Sequence, residues 1–144
     1  LQLKTINLQA SGALKESMSF PRIQYDEIIH EEWEESFWYE TLTKRFFFVV
    51  FQKDEDGKAR LKKVMFWTMP NNDLETARYF WEDTQTKIRN DDYDNFIKIS
   101  NDKICHVRPK AARASDTVLA PSGKVVRKLA YWLNAGYVKG LVKA

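Results

Sequence analysis

The amino-acid sequence predicts an α/β domain with a mixed sheet and few helices, and three stretches carry that prediction. Residues 46–53 and 59–69 are strand-like runs joined by Asp54-Glu55-Asp56-Gly57. An Asp-Gly pair between such runs signals a hairpin, because Gly accepts the positive φ of a tight turn. Beyond Pro70, apolar residues recur at helical spacing, with Leu74, Ala77, Phe80, Trp81, Thr84 and Ile88 along one side. Short strand patterns at 1–8 and 104–108 complete the alternation of element types. The 144 residues are 44% hydrophobic, with five Trp, six Tyr and nine Phe. A chain of that size buries roughly 70% of its unfolded surface, enough for one core without staples.

Residues 1–8 alternate with period two and end at Ser11-Gly12, which predicts a strand. A short extended stretch at 17–20 precedes Pro21. Tyr25, Ile28, Ile29 and Trp33 then predict a helix through an acidic segment, and a second helical turn follows at 38–44. The apolar run 46–51 has the length of a buried strand. Asn72 is placed to cap the long helix, with Glu75 at capping-box spacing. Residues 90–95 are polar and turn-like. The strand at 104–108 stops at Pro109. Residues 110–124 are small, polar and loop-like, with a turn at Pro121-Ser122-Gly123. A strand at 125–133 follows, with Asn134 capping a last amphipathic helix. No repeat or linker appears, so residues 1–144 are expected to form one domain. Because the chain opens inside a strand, without Met, it is expected to be a fragment of a longer polypeptide.

Several function classes drop out on composition. The aromatic content excludes a disordered tail. Cys105 is alone and forms no internal disulfide, which fits a reducing compartment. No run of about 18 apolar residues exists, so no membrane partner is expected. The net charge of +3 hides an asymmetry: residues 1–100 hold 14 Lys/Arg against 18 Asp/Glu, and residues 101–144 hold nine against two. Residues 26–40 carry seven carboxylates and no Lys or Arg. That distribution fits a basic face for a polyanion, and equally a solvated helix followed by an ordinary basic tail.

Candidate chemistry is sparse. Gln2-Leu3-Lys4 has the spacing of the Glu-x-Lys strand of metal-dependent nucleases, in which period two sets both side chains on one face. Carboxylates there hold a hard cation such as Mg²⁺ and Lys positions water, but Gln keeps the oxygen without the charge. The same tripeptide is ordinary on any strand. Cys105 and His106 point to opposite faces of a strand, and zinc would need two more ligands. A hydrogen-bonded His near a strand end is the expected reading. Asp54-Glu55-Asp56 lacks the spaced ligands of a calcium loop and is expected to be a solvated turn.

The informative run is Arg108-Pro109-Lys110-Ala111-Ala112-Arg113. Small residues let backbone approach DNA while Arg108, Lys110 and Arg113 reach phosphates or guanine edges. Lys124, Arg127 and Lys128 are candidates for further phosphate contacts. Tyr131 and Trp132 are candidates for stacking or a thymine-methyl contact, with at least one of the pair expected in the core.

Longer strings carry a resemblance. They are Gln2-Leu3-Lys4-Thr5-Ile6, Lys15-Glu16-Ser17-Met18-Ser19-Phe20 and Glu31-Glu32-Trp33-Glu34-Glu35-Ser36. Lys62-Lys63-Val64-Met65-Phe66-Trp67 with Met69-Pro70, Cys105-His106-Val107-Arg108-Pro109-Lys110, and Tyr131-Trp132-Leu133-Asn134 with Tyr137 complete them. Through these, over nearly its whole length, the chain resembles the MutH-like, GATC-specific type II restriction endonucleases of the Sau-three-A-one family. The resemblance implies a restriction-endonuclease-like α/β fold with a mixed central sheet flanked by helices. It implies Mg²⁺ for the parent nuclease, double-stranded DNA containing GATC as partner, and a bacterial cytoplasmic setting. MutH carries Glu-Leu-Lys-Thr where this chain has Gln2-Leu3-Lys4-Thr5, and an Arg-Pro-Lys-Ala-Ala loop in the major groove that matches Arg108 to Ala112. A tyrosine that senses adenine in MutH falls near Trp132, a departure that leaves methylation sensing unassigned.

Family members contain two MutH-like halves. The strings at Lys15, Glu31 and Cys105 resemble the second, which binds another GATC site as an allosteric effector. The resemblance therefore implies a non-cleaving domain, with Gln2 and Lys4 as a vestigial metal site, no cofactor of its own, a catalytic domain upstream, and a dimer or DNA loop as an assembly. The alternatives are a Mg²⁺-dependent endodeoxyribonuclease domain truncated or mutated at its metal site, and a purely structural or dimerising domain built on the acidic segment around Trp33.

Overall fold

A computed structural model describes residues 1–110 and 115–143. Among the described residues, eight strands and four α-helices follow one another. Strand β1 (Gln2–Leu8) lies parallel to β3 (Phe46–Lys53), with Gln2 opposite Phe46 and Leu8 opposite Gln52. Strand β4 (Ala59–Trp67) runs antiparallel to β3, closing a mixed sheet of order β1-β3-β4. Their hairpin turns on Gly57 at φ +82°, and the Asp54 carboxylate accepts from the backbone N–H of Asp56 and of Lys58, each at 2.9 Å. With Arg60 on its other oxygen at 2.8 Å, Asp54 serves as a turn anchor, as expected.

A second sheet is antiparallel, in the order β2 (Met18–Arg22), β8 (Ala130–Leu133) and β5 (Cys105–Arg108). All four residues of β8 are buried, as are Cys105, His106 and Val107, so this sheet is covered on both faces. Strands β6 (Thr117–Leu119) and β7 (Val125–Arg127) form a separate hairpin. The single central sheet implied by the resemblance is thus corrected to two three-stranded sheets and a hairpin.

The expected helix at 25–33 resolves into α1 (Tyr25–Ile28) and a 3₁₀ turn at Trp33–Glu35. The break is bridged from outside: Gln85 of the long helix donates to the carbonyls of Ile28, the last residue of α1, and of Glu31 beyond it, satisfying backbone oxygens that a continuous helix would have bonded internally. Helix α2 (Phe37–Thr43) is capped by Ser36, whose hydroxyl oxygen accepts from the Tyr39 N–H. Helix α3 (Asn71–Arg89) starts two residues earlier than expected, with Pro70 as its cap residue in place of Asn72 and no side-chain cap. Asn72 therefore lies inside the first turn. The strand expected at 59–69 ends at Trp67.

The run 125–133 is two strands, not one: β7 pairs with β6, and β8 pairs with β2 and β5. Correspondingly, 117–119 leaves the expected loop and pairs across Pro121-Ser122-Gly123, with Gly123 at φ +91°. Helix α4 (Ala135–Val142) follows Asn134, but its first N–H is satisfied by Ser17, whose oxygen accepts from Ala135 at 3.0 Å.

The core fills the space between the sheets and α2 and α3. Trp38 is its centre, stacked on Tyr131 at 4.6 Å between ring centroids and meeting Phe20 edge-on at 5.0 Å. Phe46, Phe48 and Val50 face inward from β3 and are fully buried. The opposite face of that sheet leaves Leu3, Leu61, Val64 and Phe66 exposed. Along β1 the inward residues are Gln2, Lys4, Ile6 and Leu8, so the first two inward positions are polar where core residues are due.

Candidate nucleic-acid interface

Gln2 and Lys4 share the inward side of β1, as period two requires. The Gln2 amide donates to the Thr41 carbonyl at 3.3 Å, which ties the strand to α2. The Lys4 ammonium sits 4.2 Å above the Phe20 ring and donates to the Ser19 carbonyl at 3.1 Å. Burial pushes the Lys4 ammonium below the ordinary lysine range, and the positive charge of Lys110 adds to this. Lys110 therefore lies within electrostatic reach of Lys4, although 106 positions separate them in the sequence. A neutral amide and an ammonium are poor partners for Mg²⁺, and among the described residues no three His, Cys, Asp or Glu side chains gather to hold an ion.

Strand β5 delivers Arg108 to the surface. Its guanidinium lies 4.0 Å over the Trp132 ring, and its carbonyl accepts from the Trp132 indole N–H at 3.0 Å. Trp132 is only 9% exposed and also stacks on His106, with centroids 5.9 Å apart. Its visible function in the fold is to hold Arg108 outward and stiff. Tyr131 faces the other way and is core.

Lys124 and Arg127 come from the β6–β7 hairpin and line one cavity together with Arg108. Arg127 also gives its carbonyl to the Tyr25 hydroxyl at 2.7 Å. Lys128 is partly committed: its ammonium is 3.5 Å from Asp116, which also takes Arg22 at 2.6 Å. Asp116 thus ties the hairpin to β2. Arg113, the remaining cation singled out from the sequence, lies outside the described residues.

Cys105 and His106 are both buried, and neither is placed for nucleophilic chemistry. Burial pushes the Cys105 thiol well up, with Asp102 adding to it, so no thiolate is at hand. His106 Nδ1 bonds Asn134 Oδ1, while Asn134 Nδ2 donates to the Asp102 carbonyl at 2.6 Å. Sequence reading left this triple undetected because its members are 28 and 32 positions apart and share no motif. Asp116, Tyr93, Phe96 and Lys98 were also passed over. Only the hairpin carried a missed signal, in Thr117-Val118-Leu119 and Val125-Val126 flanking a Pro-Ser-Gly turn.

His106 makes stability pH-dependent. Burial lowers its pKa, the Asn134 bond opposes this, and Arg108 lowers it further. The unfolded chain then takes up a proton before the folded one does as pH falls. The contribution is intact above the ordinary value of about 6.5 and is lost as pH drops through the lower folded value. Thermal melts across that window should show a falling Tm in the parent chain and a flatter profile in His106→Gln. Parallel profiles would remove His106 as the source.

No family model matches the chain. Its similarity is to a restriction enzyme. Over 98% of its length it is 29% identical to the type II restriction enzyme Sau3AI of Staphylococcus aureus. It spans 38% of that protein's length, an extent that fits one domain of it. Among the described residues, no helix is long and apolar enough to cross a membrane.

Proposed function

We propose that this chain is a GATC-recognising, double-stranded-DNA-binding domain of restriction-enzyme type, which does not itself cut and acts as effector of a nuclease domain on the same polypeptide in the bacterial cytoplasm. The observation that carries the reading is the convergence of cations: Arg108, Lys124 and Arg127 line one cavity, and Lys110, two residues beyond Arg108, acts electrostatically on Lys4. Phosphate contacts from such a cluster supply affinity, and base edges read by Lys110 and Arg108 supply sequence preference. The likeness to a type II restriction enzyme supports DNA as the polyanion. In this reading Arg113 belongs to the same recognition run, and Trp132 acts through Arg108.

Fluorescence anisotropy on GATC and scrambled duplexes across a salt series tests it. GATC should bind more tightly at every salt concentration, and equal affinities would sink specific recognition. Lys110→Ala should weaken GATC binding by about 1–3 kcal/mol, the usual worth of a good base contact. Unchanged affinity would remove Lys110 from the readout.

The non-cutting part rests on Gln2. Restoring the carboxylate by Gln2→Glu, in this domain with Mg²⁺ present, should leave a GATC duplex intact, because one carboxylate holds Mg²⁺ weakly. Cleavage by the variant would return the chain to the nucleases.

A further inference from the structure

Strands β6 and β7 form a two-stranded ribbon separate from both larger sheets. Its register sets Thr117 opposite Arg127, Val118 opposite Val126 and Leu119 opposite Val125. Opposed residues share a face and successive ones alternate, so Thr117, Leu119, Val125 and Arg127 lie on one side. Val126, on the other side, is buried in the core and seats the ribbon. The side away from it is open, and Leu119 and Val125 are 61% and 64% exposed there. A solvated face of an antiparallel ladder ordinarily carries polar residues. Here two branched aliphatic side chains stand opposite each other, with Cβ atoms roughly 5 Å apart. Their surroundings in the sequence are cationic: residues 117–128 hold Lys124, Arg127 and Lys128 and no carboxylate.

The ribbon is held at both ends. At its base Asp116 pairs with Arg22 at 2.6 Å, and its carbonyl accepts from the Lys128 N–H at 3.0 Å. The Tyr25 hydroxyl donates to the Arg127 carbonyl at 2.7 Å, and Ser122 in the turn donates to Asp91 at 2.8 Å. Little ordering is then left to be done when a partner arrives. Val125 also lines the cavity shared by Arg108, Lys124 and Arg127, so the apolar pair continues the cationic surface already described. Tyr131 is core and Trp132 is spent on Arg108 and His106, so neither offers a base an apolar contact.

We propose that the β6–β7 ribbon enters the major groove of DNA and that Leu119 and Val125 read thymine through its C5-methyl group, with Lys124 and Arg127 on the flanking phosphates. The major groove, about 12 Å wide, admits a two-stranded ribbon. The thymine methyl is the apolar group that base edges present there, beside donors and acceptors that Leu and Val would leave unpaired. Three cations without an acid favour a polyanion over a protein surface as the cover for the aliphatic pair. The proposal rests on the DNA-binding reading and deepens it by adding two uncharged specificity residues.

Anisotropy titrations compare a GATC duplex with the same duplex in which deoxyuridine replaces every thymidine, a change that removes only the methyl groups. The uracil duplex should bind about fourfold more weakly for each methyl contacted, the worth of one buried CH₂ group at about 0.8 kcal/mol. In the double variant Leu119→Gln/Val125→Thr both changes fall on exposed positions and roughly conserve size, so the thermal melt should not move. That variant should bind the two duplexes alike, about as weakly as the unsubstituted chain binds the uracil duplex. Equal affinity of the unsubstituted chain for both duplexes overturns the thymine contact and leaves the DNA reading intact. A folded double variant that still prefers the thymine duplex places the methyl contact elsewhere and also overturns the proposal. An unsubstituted chain that binds neither duplex sinks the DNA reading and this proposal with it. The uracil comparison needs no variant, so it decides the matter even where the double variant fails to fold.

Discussion

Trp38→Ala is expected to lower the free energy of unfolding by about 3–5 kcal/mol, the usual range for removing a buried aromatic. The indole is fully buried, stacked on Tyr131 and edge-on to Phe20, and these contacts join α2 to β8 and β2. Its removal opens a cavity at the place where three elements meet, and both neighbours lose a ring partner. Domains of this size have about 5–15 kcal/mol in hand, so the variant should be marginal or unfolded. Urea melts with unchanged m-value measure the loss. Trp38→Phe keeps part of the stack and should lose clearly less. A loss in Trp38→Ala as small as that of a surface substitution, about 0.5 kcal/mol, would show that the core repacks around the gap.

DNA affinity is expected to fall about a hundredfold as salt rises from about 50 to about 200 mM, if four side chains each neutralise a phosphate and the slope is about −3.6. Arg108, Lys110, Lys124 and Arg127 are the four proposed. Lys128 contributes less, because Asp116 already faces its ammonium at 3.5 Å. Lys124→Ala should flatten the slope by about one and weaken GATC and scrambled duplexes alike. Asp116→Asn tests the division from the other side: it frees Lys128 and Arg22 and should steepen the slope. A slope that none of these variants moves would put the phosphate contacts on another surface.

Much of the candidate interface was legible along the chain because Arg108, Lys124, Arg127 and Lys128 lie in one stretch of the sequence. Proximity in sequence and proximity in space coincide there, since β5 and the β6–β7 hairpin are close neighbours. The Gln2–Lys4 pair was legible too, because the two-residue period of a strand alone sets which side chains share a face. What could not be read was what each group would meet. Trp132 was a candidate for stacking on a base or for the core, and its ring is spent on Arg108 and His106. Lys128 looked as available as Lys124 until Asp116 was found beside it. Asn134 does stand at the cap position of α4, but its side chain holds His106 while the Ser17 hydroxyl accepts from the first helical N–H.

The candidate interface read from a basic run thus has two origins. Local pattern determined the strands at β1, β3, β4 and β5, the long helix α3, the Asp54–Gly57 turn and the order of the cations. These depend on periodicity, backbone conformation and charge, which neighbouring residues settle among themselves. Tertiary structure alone decided that β1 runs parallel to β3, that residues 125–133 divide between two sheets, and that Lys110 comes within electrostatic reach of Lys4. It also decided that Arg108, Lys124 and Arg127 line one cavity and that His106 is held by Asn134. Each of these depends on pairing between segments tens of residues apart, where many partners satisfy the same local pattern. The pairing that excludes most apolar surface from water, while keeping buried polar groups bonded, is chosen only when the whole core is assembled.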